Sequence, residues 1–318
     1  MYPLLLKAAV KERLWGGDRL IKEFGFESDS FKAAEAWVLS CHKDGHTIVK
    51  NGQYTSLTLN EALQKMGKDA LGKNAQRFPY FPLLVKLIDA KDRLSIQVHP
   101  DDDYAFKNEG EYGKTTLWYV LDCDEKAQII YGLNRNITSF ELEKRVKDNT
   151  IGHLCNYVNV KRGDVFFIPA GTIHAIGKGI LIAEIQQNSN TTYRISDYGR
   201  LGADGKPRPL HIKKAIDVIK PSLPSKPYGN VGELTLYPFG IVRNLAKCEF
   251  FTSELLSLDG KAGLFEKDSF MSLLFCEGEG TLCYSGGSMR VKKGDSVFVP
   301  AGIRITINGK AEIICSYI

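Results

Sequence analysis

Gln97, His99 and His174 are polar side chains whose donor atoms could move a proton or bind a ligand. Gln97 and His99 sit in the run Leu94-Ser95-Ile96-Gln97-Val98-His99-Pro100-Asp101-Asp102. At i and i+2 of a strand they face the same side, so both can converge on one ion. His174 follows in Pro169-Ala170-Gly171-Thr172-Ile173-His174. Neutral imidazole is the commonest zinc donor, although a lone histidine on a strand is more often an ordinary polar residue. Charged residues add acid, base and anchoring chemistry. Glu184 follows the apolar approach Gly179-Ile180-Leu181-Ile182-Ala183. A carboxylate there must face a polar interior or a partner, as an acid/base group, a support for one, or a structural ion-pair member. Arg194 closes the polar segment Asn188-Ser189-Asn190-Thr191-Thr192-Tyr193-Arg194. It reads either as a solvated loop arginine or as a fixed cation over an anionic substrate. Lys114 is a second cation, and the glycine spacing around Gly113-Lys114-Thr115 is not that of a nucleotide-binding P-loop. Trp15, Glu35 and Trp37 read as cleft walls or as core.

These residues need a scaffold, and the chain writes part of it twice. Val160–Gly171 reads VKRGDVFFIPAG and Val291–Gly302 reads VKKGDSVFVPAG. Repetition at this distance predicts two copies of one unit. Each copy has a Gly-Asp turn, a short apolar strand and a Pro-Ala-Gly turn. His174 of the first copy corresponds to Ile305 of the second, and no histidine follows His211. The spacing predicts a functional first unit and a structural second.

Gly163-x5-Pro169-x-Gly171-x2-His174 resembles the second signature of the cupin superfamily, whose fold is a double-sheet jelly roll. Gln97-Val98-His99-Pro100-Asp101-Asp102 narrows the resemblance to the type I mannose-6-phosphate isomerases. Leu14-Trp15-Gly16-Gly17, Glu35-Ala36-Trp37, Phe81–Lys86, Gly113–Tyr119, Glu184–Gln187, Thr191–Arg194 with Asp197, and Pro209–Ile212 extend it along most of the chain. It implies a mainly β fold of two cupin barrels with a few helices attached to the first. It also implies a metal-dependent isomerase that interconverts mannose 6-phosphate and fructose 6-phosphate through a cis-enediol. Zinc, one per chain, is then held by Gln97, His99 and His174. Arg194, Lys114 and Glu184 are expected in catalysis, and Trp15, Glu35, Lys114 and Arg194 in substrate binding. His99, Glu184 and Lys114 all stay open as the base. One departure matters: the family's ligand glutamate is Thr116 here, and a hydroxyl is a poorer zinc ligand than a carboxylate. The metal is therefore expected to be weakly held, with Glu109 and Glu111 near enough in sequence to reach in. The rival reading is a non-catalytic or weakly active cupin that binds a sugar or sugar phosphate.

Composition bounds the alternatives. The chain has 318 residues, 43% hydrophobic and 25% charged, with a net charge of +5. That excess is diffuse, suits an anionic small substrate and argues against nucleic acid. Seven scattered cysteines without a C-x-x-C pair fit a reduced, cytoplasmic setting. The first seven residues do not read as a signal peptide, and no apolar run approaches the ~20 residues of a membrane span. A monomer or small homo-oligomer is expected. The patterning predicts helices over 57–71, over 139–148 with Ser139 as N-cap, and over 212–219. Pro221–Pro227 reads as a linker, which places a catalytic unit in 1–227 and a second barrel in 228–318.

Overall fold

The computed structural model describes residues 1–202, 204–224 and 226–318. Strands make up 42% of the chain and helices 16%, and every strand pairing among the described residues is antiparallel. Three sheets build the molecule. A seven-stranded sheet runs in the order 228–229, 165–168, 116–123, 180–187, 83–90, 35–39, 9–11. A five-stranded sheet runs 193–196, 96–98, 174–176, 128–133, 155–159. Together they form the first jelly roll. A nine-stranded sheet, carried by the long strands Thr252–Leu264, Met271–Tyr284 and Ile305–Tyr317, forms the second. None of the sheets closes into a barrel.

The repeat is structural. Both copies turn on a glycine with positive φ, Gly163 at 88° and Gly294 at 89°, a backbone that residues with a Cβ rarely adopt. Asp164 and Asp295 each accept a hydrogen bond from the backbone three residues earlier, at 2.9 Å in both. The strands Val165–Ile168 and Ser296–Val299 follow, and His174 and Ile305 each open the next strand.

Strand alternation decides which side chains meet the site. In the seven-stranded sheet, Val85, Leu87, Leu117, Tyr119, Ala183 and Ile185 face a core shared with Phe270 and Phe298 of the second unit. Their neighbours Ile88, Trp118, Val120 and Ile182 face the interior of the first unit. Lys86, Thr116 and Glu184 keep the same phase and point inward with them. Phe81, Phe270 and Phe298 pack at 5.2–6.3 Å across the junction, so the second unit braces the back of the seven-stranded sheet.

Helices form at Leu59–Met66, Ser139–Lys147 and Ile212–Val218, within the expected ranges. Thr58 and Glu61 make a reciprocal capping box. The cap of the second helix is Thr138 rather than Ser139, because Thr138 Oγ1 reaches the Glu141 amide. Asp102–Asn108, capped by Asp101, is a helix the patterning did not reveal; its apolar stripe is too short to read. Sheet membership crosses the linker: Leu4–Lys7 pairs with Ser296–Phe298, while Tyr228–Gly229 pairs with Val165–Phe166. Ser225 of the proline-rich segment lies outside the described residues.

Candidate active site

The two inward faces enclose a cavity of about 340 Å³. Trp15, Lys86, Gln97, Lys114, Glu184 and Arg194 are among the residues on its wall, and Glu35 joins them. Gln97 and His174 are direct register partners on adjacent strands. The strand holding Gln97 stops at Val98, but Gly171 N still bonds to His99 O at 2.9 Å, so His99 keeps its phase. The imidazoles of His99 and His174 are fully buried behind the wall, with Nε2 to Nε2 at 3.0 Å. Gln97 Nε2 lies 3.4 Å from His174 Nε2.

Tautomers follow from the partners. His174 Nδ1 lies 2.8 Å from the Thr172 carbonyl, which can only accept, so Nδ1 carries the proton and Nε2 a lone pair. Both rings are neutral. Burial, against the support of the Thr172 carbonyl, takes His174 down to about 4. Burial first, then the charges of Lys114 and neighbours, takes His99 well below its ordinary value. His99 Nδ1 has no hydrogen-bond partner, although the Thr191 backbone lies close enough to favour its protonated form slightly.

Glu184 is a fixed anion of the cavity. Its Oε1 accepts from Thr116 Oγ1 and from Trp118 Nε1, each at 2.9 Å, and its oxygens lie 3.7 Å from Lys86 Nζ and 3.9 Å from Lys114 Nζ. Against the cost of burial, these lysines and donors hold the carboxyl at about 2. Burial outweighs Glu184 at Lys114 and lowers that ammonium to about 8. Lys86 also lies 3.6 Å from Glu35 and 4.7 Å from the centre of the Trp37 ring. Glu35 in turn accepts from Trp37 Nε1 at 2.7 Å and pairs with Arg13 at 3.1 Å. Trp37 is wholly buried and supports the wall from behind.

Arg194 has no carboxylate within 4 Å among the described residues. Its Nη1 donates to Pro209 O at 2.9 Å, and its backbone N–H donates to His211 Nδ1 at 3.1 Å. The segment Pro209–His211 therefore sets the position of Arg194. Lys86 is the main site residue that the amino-acid sequence left unassigned. Its signal was a single cation in the apolar run Leu83–Ile88.

Thr116 is turned towards Glu184, and among the described residues no three His, Cys, Asp or Glu side chains converge as metal ligands. Neither nearby glutamate fills the place. Glu111 pairs with His42 at 3.0 Å and accepts from Thr191, and Glu109 pairs with Lys214 at 2.6 Å. The donors present are two neutral imidazoles and the amide of Gln97. Two donors at ~2.05 Å from a tetrahedral ion lie about 3.3 Å apart. The observed 3.0 Å is close to that, so the pair fits a zinc-type ion with three protein donors.

Comparison with known proteins bears on the whole chain. Residues 4–122 match the family Phosphomannose isomerase type I, catalytic domain, and residues 242–318 match Mannose-6-phosphate isomerase, cupin domain. The chain is 40% identical to mannose-6-phosphate isomerase ManA of Bacillus subtilis, with 99% of both chains covered. It is 38% identical to the mannose-6-phosphate isomerase of Streptococcus mutans, covering 99% of this chain and 98% of the relative. A crystal structure of the Bacillus subtilis mannose 6-phosphate isomerase superposes with a TM-score of 0.93 at 36% identity over all of both chains. With sheets, cavity and full-length similarity in agreement, the chain belongs to the type I mannose-6-phosphate isomerase family.

Proposed function

We propose that this chain interconverts mannose 6-phosphate and fructose 6-phosphate, moving a proton between C1 and C2 of the sugar through a cis-enediol. The observation that carries this is the arrangement around Glu184: a buried carboxylate between two buried lysines, beside convergent neutral imidazoles, in a cavity whose Arg194 has no carboxylate within 4 Å among the described residues. Arg194 takes the phosphate and so positions the reacting carbons. Lys114, lowered to about 8, is the cavity group nearest neutrality and is assigned the proton transfers. Glu184 fixes Lys114 and Lys86 and balances their charge. Trp15 and Glu35 line the sugar site. Gln97, His99 and His174 would hold a zinc-type ion, which would draw electron density from the sugar carbonyl as a Lewis acid.

We assign the chemistry to residues 1–227 and a bracing role to 228–318. The absence of histidine after His211 and the aromatic junction support that division. No helix among the described residues is long and apolar enough to cross a membrane. The test is fructose 6-phosphate formation from mannose 6-phosphate by the purified chain supplied with zinc. Steady turnover is expected. Saturable binding without isomerisation of any hexose phosphate would transfer the site to the sugar-phosphate-binding reading.

A further inference from the structure

Behind the cavity wall lies a set of polar contacts that the reaction itself does not use. From Ser189 to Arg194 the side chains alternate. Asn190, Thr192 and Arg194 are on the wall of the cavity. Ser189, Thr191 and Tyr193 instead donate their hydroxyls to two carboxylates of a neighbouring segment. Ser189 Oγ reaches Glu111 Oε1 at 3.3 Å, Thr191 Oγ1 reaches the same oxygen, and Tyr193 Oη reaches Glu109 Oε1 at 2.8 Å. An extended chain sends successive side chains to opposite sides, so holding one set by its hydroxyls fixes where the other set points.

Glu111 is the centre of this ladder. Its Oε2 lies 3.0 Å from His42 Nε2, and His42 is buried. His42 Nδ1 accepts from the Asp44 amide at 3.1 Å, so Nε2 carries the proton and donates to Glu111. Against the cost of burial, the bonds from His42 and Thr191 hold the carboxyl at about 2. Glu111 is therefore an acceptor at all its contacts, which both oxygens of a carboxylate can serve and an amide cannot. Glu109 is steadied in turn by Lys214 at 2.6 Å. The contacts join three segments that each deliver a cavity residue. His42 and Asp44 follow the strand that starts at Glu35, Glu111 shortly precedes Lys114, and Ser189–Tyr193 lead into Arg194. Asn190 Nδ2 adds a bond to Asp44 Oδ2 at 2.8 Å, so the turn after that strand holds the same segment a second time.

We propose that Glu111, backed by His42 and assisted by Glu109, is a positioning residue: it holds Ser189, Thr191 and Tyr193 so that Asn190, Thr192 and Arg194 stand against the substrate. The inference rests on the isomerase reading above. Glu111 is not among the residues on the cavity wall and acts through the segment it holds.

The experiment compares wild type, Thr191→Val, Thr191→Ser, Tyr193→Phe, Glu111→Gln and the double variant Thr191→Val with Glu111→Gln. All are full chains with saturating zinc, studied well below their thermal midpoints. It measures kcat and KM for mannose 6-phosphate, and the dissociation constant of a hexitol 6-phosphate, which has no carbonyl to isomerise. Thr191→Val keeps the branched shape and removes the hydroxyl. Both KM and the hexitol phosphate constant should rise roughly tenfold, with kcat within about threefold. Thr191→Ser should recover most of the loss, and Tyr193→Phe should weaken binding in the same sense. Glu111→Gln sets an NH2 group against a donor and should lose at least as much as Thr191→Val. The two changes break one contact, so the double variant should bind no worse than about threefold below the poorer single one. A purely structural role would lower thermal midpoints and leave the folded protein's KM alone. Unchanged KM and unchanged hexitol phosphate binding in Thr191→Val would overturn the proposal, as would losses that multiply in the double variant. Should Glu111→Gln not fold, Thr191→Val against Thr191→Ser decides the matter. If wild type isomerises nothing, yet Thr191→Val alone of the two threonine variants weakens hexitol phosphate binding, the ladder stands and the isomerase reading fails.

Discussion

Thr116 stands where a ligand glutamate was expected, and its contact with Glu184 defines what a glutamate there would do. The hydroxyl donates to Glu184 Oε1 at 2.9 Å. A glutamate at 116 would set a second carboxylate beside the first in a buried site, where like charges repel and one pKa must rise. An ion bridging it to the imidazoles would relieve that repulsion. Thr116→Glu is therefore expected to lower the thermal midpoint of the metal-free protein, to raise it again with zinc, and to retain more zinc per chain after dialysis. Metal content and midpoint both matching wild type would place position 116 outside the ion's reach. Protonation of the imidazoles gives a second outcome. His174 titrates near 4 in the fold against an ordinary 6.5, so between these values the unfolded chain holds a proton that the fold refuses. Its contribution is full above pH 6.5 and is lost as pH falls to about 4, a change of about 3 kcal/mol. Glu184, near 2 against 4.5, loses its own contribution only below pH 4.5. The metal-free midpoint should thus fall between pH 6.5 and 4, and less steeply in His174→Gln; a flat profile through that window would contradict the burial of neutral imidazoles. Gln97, His99 and His174 were legible because strand phase and turn spacing are local. Lys86 was not, because its meaning lies in a partner on another strand, Glu184, at 98 positions from it in sequence.

At the scale of elements, the turns of the repeat could be read directly. A glycine with positive φ and an aspartate capping the turn recur in both copies, and both properties are local. The helix Leu59–Met66 was equally open to reading, since its capping box is written in Thr58 and Glu61. Sheet order was not. Nothing in Leu4-Leu5-Leu6-Lys7 announces that it pairs with Ser296–Phe298 rather than with its neighbours, because such pairing is decided by which edge the second unit leaves open. The same limit applies to the register that sets Glu184 opposite both Lys86 and Trp118. That register is what turns three scattered polar residues into one buried cluster, and a slip of one residue would direct them into the shared core.

For the whole molecule, the second unit matters through the core it shares with the first. Phe270 is fully buried between Phe81 and Phe298. Phe270→Ala should cost about 3–5 kcal/mol. The three tryptophans, Trp15, Trp37 and Trp118, all lie in the first unit. Their fluorescence should therefore report a urea midpoint lowered by a substitution in the second; an unmoved midpoint would mean that the units unfold independently. The cavity itself isomerises a sugar phosphate by proton transfer. Its most direct test is the conversion of mannose 6-phosphate in deuterated water, followed by the label in the sugar. Fructose 6-phosphate should carry solvent deuterium at C1, because a proton held by a lysine exchanges with water between abstraction and return. Brisk conversion with no solvent label in product or recovered substrate would contradict it, and would point to direct transfer of hydrogen between the two carbons.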